Sequence, residues 1–155
     1  MRTPDGSNDP ALVGNQPPVA RIGVNYVETF IEVAPDTRAV AAVVPPARAI
    51  TSVALRQFEL ISESPYSLTS EDVIFTVYAE RAGIPQDDWA QARAAYFSVG
   101  RACLRSSPLP KAYGWGIHAD SEARVALVPL GSPEYERLAT ADDVVHLAAM
   151  RSARG

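Results

Sequence analysis

The stretch Tyr113-Gly-Trp-Gly-Ile-His-Ala-Asp-Ser-Glu-Ala-Arg-Val-Ala-Leu-Val-Pro129 decides the fold class. Tyr113 to Ala119 alternates with the period of a strand: Tyr113, Trp115 and Ile117 on one face, Gly114, Gly116 and His118 on the other. Arg124 to Pro129 carries Val125 and Leu127 on one face, and the polar Asp120 to Ala123 between the two segments reads as a β-hairpin loop. Upstream, Val24 to Ala34 alternates as well, with Val27, Thr29, Ile31 and Val33 against Glu28, Phe30 and Glu32. That is the pattern of a half-buried strand rich in β-branched residues. Glu28 and Glu32 then share one face, and a solvated face explains them better than a pair of reacting acids.

Helical signals fill the rest. A helix opens at Thr51 or Ser52, carries Ala54, Leu55, Phe58 and Ile61 at helical spacing, and ends where Ser64 precedes Pro65. Thr69 with Asp72 forms a capping box for a second helix, whose Val73, Ile74, Val77, Tyr78 and Arg81 share a face, and Gly83 with Pro85 stops it. A third runs from Asp87 to Ser98 and makes an αα-hairpin with the second. Ser132-Pro133 starts a short helix to about Ala139, and Thr140 with Asp143 predicts a last one over Ala141 to Arg151. The fold class is therefore α+β, a small, largely antiparallel sheet of about three strands with about five helices on one face or the ends. Residues 1–21, rich in Pro, Asp, Asn and Gly, read as a disordered tail, and 22–152 as a single globular domain.

Composition narrows the class. The 155 residues are 47% hydrophobic and 21% charged, as in an ordinary soluble domain. A net charge of -4 argues against a general nucleic-acid binder, which needs many cations on phosphates. The single cysteine permits no internal disulfide. Pro4, Asp5, Asp9 and Pro10 stand where a signal peptide would need a continuous apolar core, and the apolar run Ala39 to Ala47 is too short to span a bilayer. A cytoplasmic protein with no nucleic-acid or membrane partner is expected; whether it forms a homo-oligomer stays open.

Candidate chemistry gathers between Cys103 and His118. Two glycines weaken a strand, so something should approach the bare backbone of Gly114 and Gly116: a ligand beside His118, or a packed helix or aromatic ring. Arg105, Ser106, Ser107 and Lys111 offer a guanidinium fork, hydroxyl donors and an ammonium that suit phosphate or carboxylate, with Pro108 and Pro110 keeping the segment extended. The alternative is a structural loop whose serines bond nearby backbone and whose Arg105 pairs with Glu59 or Glu63. Cys103 with His118 as its base is the minimum for nucleophilic catalysis, although a free cysteine beside Leu104 also suits plain burial. His118, His146, Cys103 and Asp120 lack the short ligand spacing of zinc sites, so no metal or cofactor is implied. Phe75, Tyr78, Trp89, Tyr96 and Phe97 read as core.

Several segments together resemble a family of small bacterial and fungal proteins known only as a domain of unknown function. They are Asn25-Tyr26-Val-Glu-Thr-Phe30-Ile-Glu-Val-Ala34, Phe58-Glu-Leu-Ile-Ser-Glu-Ser-Pro65-Tyr66 and Thr69-Ser-Glu-Asp-Val-Ile-Phe75, then Cys103-Leu-Arg-Ser-Ser-Pro-Leu109, Tyr113-Gly-Trp-Gly-Ile-His118 and Ala149-Met-Arg-Ser152. The resemblance covers roughly residues 24–152 and implies one compact domain but no chemistry. Ala112 stands where a second basic residue beside Lys111 would be usual, and Ala123 where a glycine turn would be.

The expectation is a small-molecule binding protein holding an anionic or planar ligand between the Arg105 to Lys111 loop and Gly114, Trp115, Gly116 and His118. Two alternatives stand beside it: an enzyme using Cys103 or His118 in the same cleft, and a structural or protein-interaction domain without a ligand site.

Overall fold

Residues 21–152 are described in the structure, a computed structural model, and their fold is α+β. The strands are β1 (Arg21–Ile22), β2 (Asn25–Tyr26), β3 (Thr29–Glu32), β4 (Trp115–Ala119), β5 (Val125–Pro129) and β6 (Val145–Ala148). The α-helices are α1 (Val53–Glu63), α2 (Ser70–Arg81), α3 (Trp89–Tyr96), α4 (Pro108–Ala112) and α5 (Pro133–Thr140). β1 and β2 form a small antiparallel pair, and the main sheet has the order β5-β4-β3-β6. β4 pairs antiparallel with both β3 and β5, whereas β6 runs parallel to β3.

Local chemistry accounts for most of the helices. Ser52 caps α1 by accepting from the Leu55 amide, Thr69 and Asp72 make a reciprocal capping box on α2, and Ser132 accepts from the Tyr135 amide at the head of α5. A single 3-10 turn, Gln86–Asp88, leads into α3. The helices lie on both faces of the sheet. Ile31, Ile117, Ala119 and Val125 pack with Ile61 of α1, Val73 of α2 and Leu109 of α4. On the other face Phe30 and Val128 meet Tyr135 and Leu138 of α5.

Five sequence readings are corrected. The single strand expected over Val24 to Ala34 is split into β2 (Asn25–Tyr26) and β3 (Thr29–Glu32), because Glu28 takes a left-handed backbone (φ 47°) that breaks the extended run. β3 is also buried on both faces rather than half-buried, with Thr29, Phe30 and Ile31 all below 4% exposed, since α5 covers the side that Phe30 faces. Tyr113 and Gly114 precede β4: Tyr113 ends α4 and Gly114 turns with φ +77°. The helix expected over Ala141 to Arg151 is instead β6. The Thr140 hydroxyl is spent on the Glu136 and Arg137 carbonyls and cannot cap a new helix, while the open edge of β3 needs a partner for its buried amides.

Pro108 to Ala112 is helical, not extended. Ser107 caps it by accepting from the Leu109 amide, and Pro108 and Pro110 fall in the first turn, where a missing N–H costs nothing. Residues 1–20 of the expected tail lie outside the described residues, and Arg21 belongs to β1.

The hairpin loop carries a testable strain. Asp120 Oδ1 accepts from the Glu122 and Arg124 amides, and this turn holds Ala123 at φ 67°, a region that disfavours any side chain with a Cβ. Ala123→Gly is expected to raise the unfolding free energy by roughly 0.5–1 kcal/mol after the added freedom of the unfolded chain is deducted. Urea titration of the two proteins reads it, and a loss of stability would mean the turn is not strained.

Candidate functional site

The structure scatters the residues singled out between Arg105 and His118. Arg105 donates through Nε to the Ala148 carbonyl at 2.7 Å, and its own carbonyl accepts from the Met150 amide at 2.8 Å, so it fastens the loop to β6 and does not pair with Glu59 or Glu63. Lys111 lies elsewhere, lining a separate hollow with Asp36, Arg38, Ala112 and Ser152. Protein groups occupy the space over the two glycines. A Cβ on Gly116 would come within 2.8 Å of the Phe30 ring and 3.0 Å of Tyr135, and one on Gly114 would run into the Ala41 carbonyl. Trp115 donates its indole N–H to the Val43 carbonyl at 2.9 Å and packs on Phe58.

Cys103 and His118 are on opposite faces of the sheet. His118 stands beside Phe30 in the register and so faces α5, whereas Cys103 packs against the cluster around Ile31 and Ile117. His118 therefore does not serve Cys103 as a base. Among the described residues no three His, Cys, Asp or Glu side chains group as metal ligands, and His118 and His146 are held apart by Phe30 between them.

What the fold does bring together is Cys103, Ser106 and Ser107. They line a cleft of about 260 Å³ with Val53 and Gln57 of α1, Ile74, Val77, Tyr78 and Arg81 of α2, and Tyr96 of α3. Its floor is unusual. Gln57 is only 6% exposed, its Oε1 accepts from the Ser107 hydroxyl at 2.6 Å, and its Nε2 has no hydrogen-bond partner among the described residues. Nε2 is not among the sealed polar atoms without a partner, which among the described residues are limited to Arg124 Nε, so it keeps contact with solvent. The Ser106 hydroxyl likewise has no protein partner among the described residues.

The cleft wall is aromatic and its rim cationic. The Tyr78 and Tyr96 rings lie 4.2 Å apart between centroids at 30°, with the Arg101 guanidinium 3.9 Å over Tyr96. Arg81 donates to the Thr51 carbonyl, and no carboxylate pairs with it among the described residues. On the inner side the Tyr26 hydroxyl meets Cys103 Sγ at 3.2 Å and Arg21 at 3.4 Å. Burial pushes the Tyr26 phenol up, the Cys103 contact adds to this, and Arg21 and Arg105 pull the other way.

Reading by sequence missed Gln57, Tyr78, Arg81 and Tyr96 as site residues. One signal was present: Gln57 sits between Ala54, Phe58 and Ile61 at i, i+3, i+4 and i+7, a polar residue inside an apolar stripe. Tyr78 and Arg81, three apart on α2, share a rim by the same spacing, but nothing local separates them from surface residues.

A second polar cluster lies on the α5 face. Tyr66 Oη and His118 Nδ1 are 2.8 Å apart, and Tyr66 holds φ 58° while its amide donates to the Val125 carbonyl. Burial pushes His118 below its ordinary value, outweighing Glu28, Asp120 and Glu134, which raise it; Arg137 acts with the burial.

These elements define an α+β protein with helices on both sides of a four-stranded mixed sheet and one amide-floored cleft. The chain belongs to the family of unknown function DUF6157, whose model matches residues 22–155. No curated protein and no solved structure matches it.

The His118 environment fixes the sign of a pH effect. The imidazole protonates less readily folded than unfolded, so below the ordinary value of 6.5 the unfolded chain binds protons first. Its contribution to stability is complete above that value and is lost as pH falls below it. Thermal denaturation between pH about 7 and about 5 should show stability falling, and His118→Gln should flatten the slope. Identical slopes in the two proteins would assign it to other groups.

Proposed function

We propose that the protein binds a small planar acid in the cleft between α1, α2, α3 and residues 102–108. The single observation that carries this reading is the Gln57 amide of the cleft floor, whose oxygen is taken by Ser107 while its nitrogen has no protein partner among the described residues and stays open to solvent. Water can accept from that donor in the free protein, and a ligand carbonyl or carboxylate can take the water's place. Tyr78 and Tyr96, packed on each other, give the cleft an aromatic side against which a ligand ring can pack. Arg81 and Ser106 suit the anionic end, and the described residues lining the cleft include no carboxylate to repel it.

Size selects within this class. A volume of about 260 Å³ falls under the range of roughly 300–1,000 Å³ of drug-sized pockets, which favours one ring bearing a carboxylate over a nucleotide. Ser106 and Ser107 of the sequence reading stay in this site; Arg105 supports it from behind, and Lys111 takes no part. The lone cysteine, which permits no internal disulfide, supports a reducing, cytoplasmic setting, and no helix among the described residues is long and apolar enough to cross a membrane. The net charge of -4 weighs against a nucleic-acid partner.

Calorimetric titration with benzoate, phenylacetate and 3-benzoylpropionate tests the reading. At least one should bind saturably, and Arg81→Met, which keeps the stem and removes the charge, should weaken it about tenfold or more. No saturable heat from any of them, or affinity indifferent to Arg81→Met, would sink it.

A further inference from the structure

We propose that residues 38–50 form a docking strap for an extended, acidic segment of another protein. The chain has no acid between Asp36 and Glu59, and Ala39 to Ala47, between Arg38 and Arg48, carry no polar side chain. Val40 is 93% exposed, Ile50 80%, and Val43 and Val44 more than half. A single exposed valine is ordinary, whereas an unbroken apolar run held in solvent marks a contact surface.

The run is fastened by its backbone, which leaves these side chains outward. The Val43 amide donates to the Tyr113 carbonyl at 2.9 Å, and the Val43 carbonyl accepts from the Trp115 indole at 2.9 Å. The Ala41 carbonyl lies against Gly114, where a Cβ would strike it, and Pro45 is buried. The Tyr113-Gly114-Trp115 turn is therefore the clasp of the strap. A surface fixed in this way loses little freedom when it is covered.

Charge decides what covers it. At one end Arg38 and Lys111 line a hollow of about 470 Å³ with Asp36, whose carboxylate accepts from the Ser152 amide. At the other end Arg48 is exposed. Among the described residues no carboxylate pairs with Arg38, Arg48 or Lys111. An apolar centre between cations, on a protein of net charge -4, complements apolar residues bracketed by Asp or Glu.

A second copy of the chain fits less well. Two-fold pairing of straps would set the cations of one against those of the other, and residues 38–50 fall short of the roughly 20–30 residues a side of a stable interface. A lipid surface fits less well too, because the strap has no Trp, Tyr or Phe to seat among headgroups.

Panning a phage-displayed library of random dodecapeptides against the folded protein tests the proposal. The recovered peptides should carry apolar residues bracketed by Asp or Glu. Resynthesised, they should bind the double variant Val40→Ser, Ile50→Ser about tenfold or more weakly. The double variant Arg38→Glu, Arg48→Glu should instead select peptides bracketed by Lys or Arg. All four positions are exposed, so both variants should keep the melting temperature of the native chain, which circular dichroism checks.

No enrichment, enrichment without an acidic bias, or binding that both variants leave unchanged would overturn the proposal. So would a dimer in sedimentation that Val40→Ser, Ile50→Ser dissolves, which assigns the strap to a second copy. Flotation with phosphatidylserine vesicles, lost in the same variant, would overturn it in favour of a lipid surface.

Discussion

The burial of β3 is the constraint from which the rest of the molecule follows. Phe30 and Ile31 point to opposite faces and both are almost wholly enclosed, so the backbone of Thr29 to Ile31 is shut off from water on both faces and its amides must be paired on both edges. β4 supplies one edge as its antiparallel neighbour, and only a parallel strand from the C-terminal region supplies the other. This makes β6 an edge strand, whose outward groups need cover. Arg105 provides it through the Ala148 carbonyl and the Met150 amide. Fastened there, residues 102–108 lie against α1, where Ser107 takes one end of the Gln57 amide and leaves the other to the cleft.

The sheet also divides the chemistry. Cys103, Gln57 and the tyrosine wall lie on the side of α1 and α2, and His118 with Tyr66 lies on the side of α5. Among the described residues, the three non-glycine residues with left-handed backbone, Glu28, Tyr66 and Ala123, are joined at the hairpin end. The Glu28 and Ala123 amides both donate to the Asp120 carbonyl, and the Tyr66 amide donates to Val125. Strain of this kind persists only where surrounding contacts over-determine it, and here those contacts are the hydrogen bonds that close the sheet's end.

The parts legible in the sequence are those specified locally. The caps at Ser52, Thr69 and Ser132 and the stops at Ser64 and Gly83 locate three helices, and the hairpin announces itself by alternation around Asp120. β6 was illegible because Thr140 and Asp143 imitate a capping box, and only the unpaired edge of a distant strand decides against it. α4 was hidden by its prolines, which read as stiffness until Ser107 is seen to place them in a first turn. At the site, Ser106, Ser107 and Cys103 were legible as unusual residues close together. Their partners Gln57, Tyr78, Arg81 and Tyr96 come from three helices that no local pattern joins.

The side-chain amide resonance of Gln57 tests the central claim most directly. Its two protons are observable by heteronuclear NMR and assignable with Gln57→Glu. Titration with 3-benzoylpropionate should move them saturably, together with the backbone amides of Cys103 and Ser106. Saturable shifts confined to the Lys111 hollow or the His118 face, with the Gln57 protons unmoved, would contradict the assignment of the cleft as the ligand site.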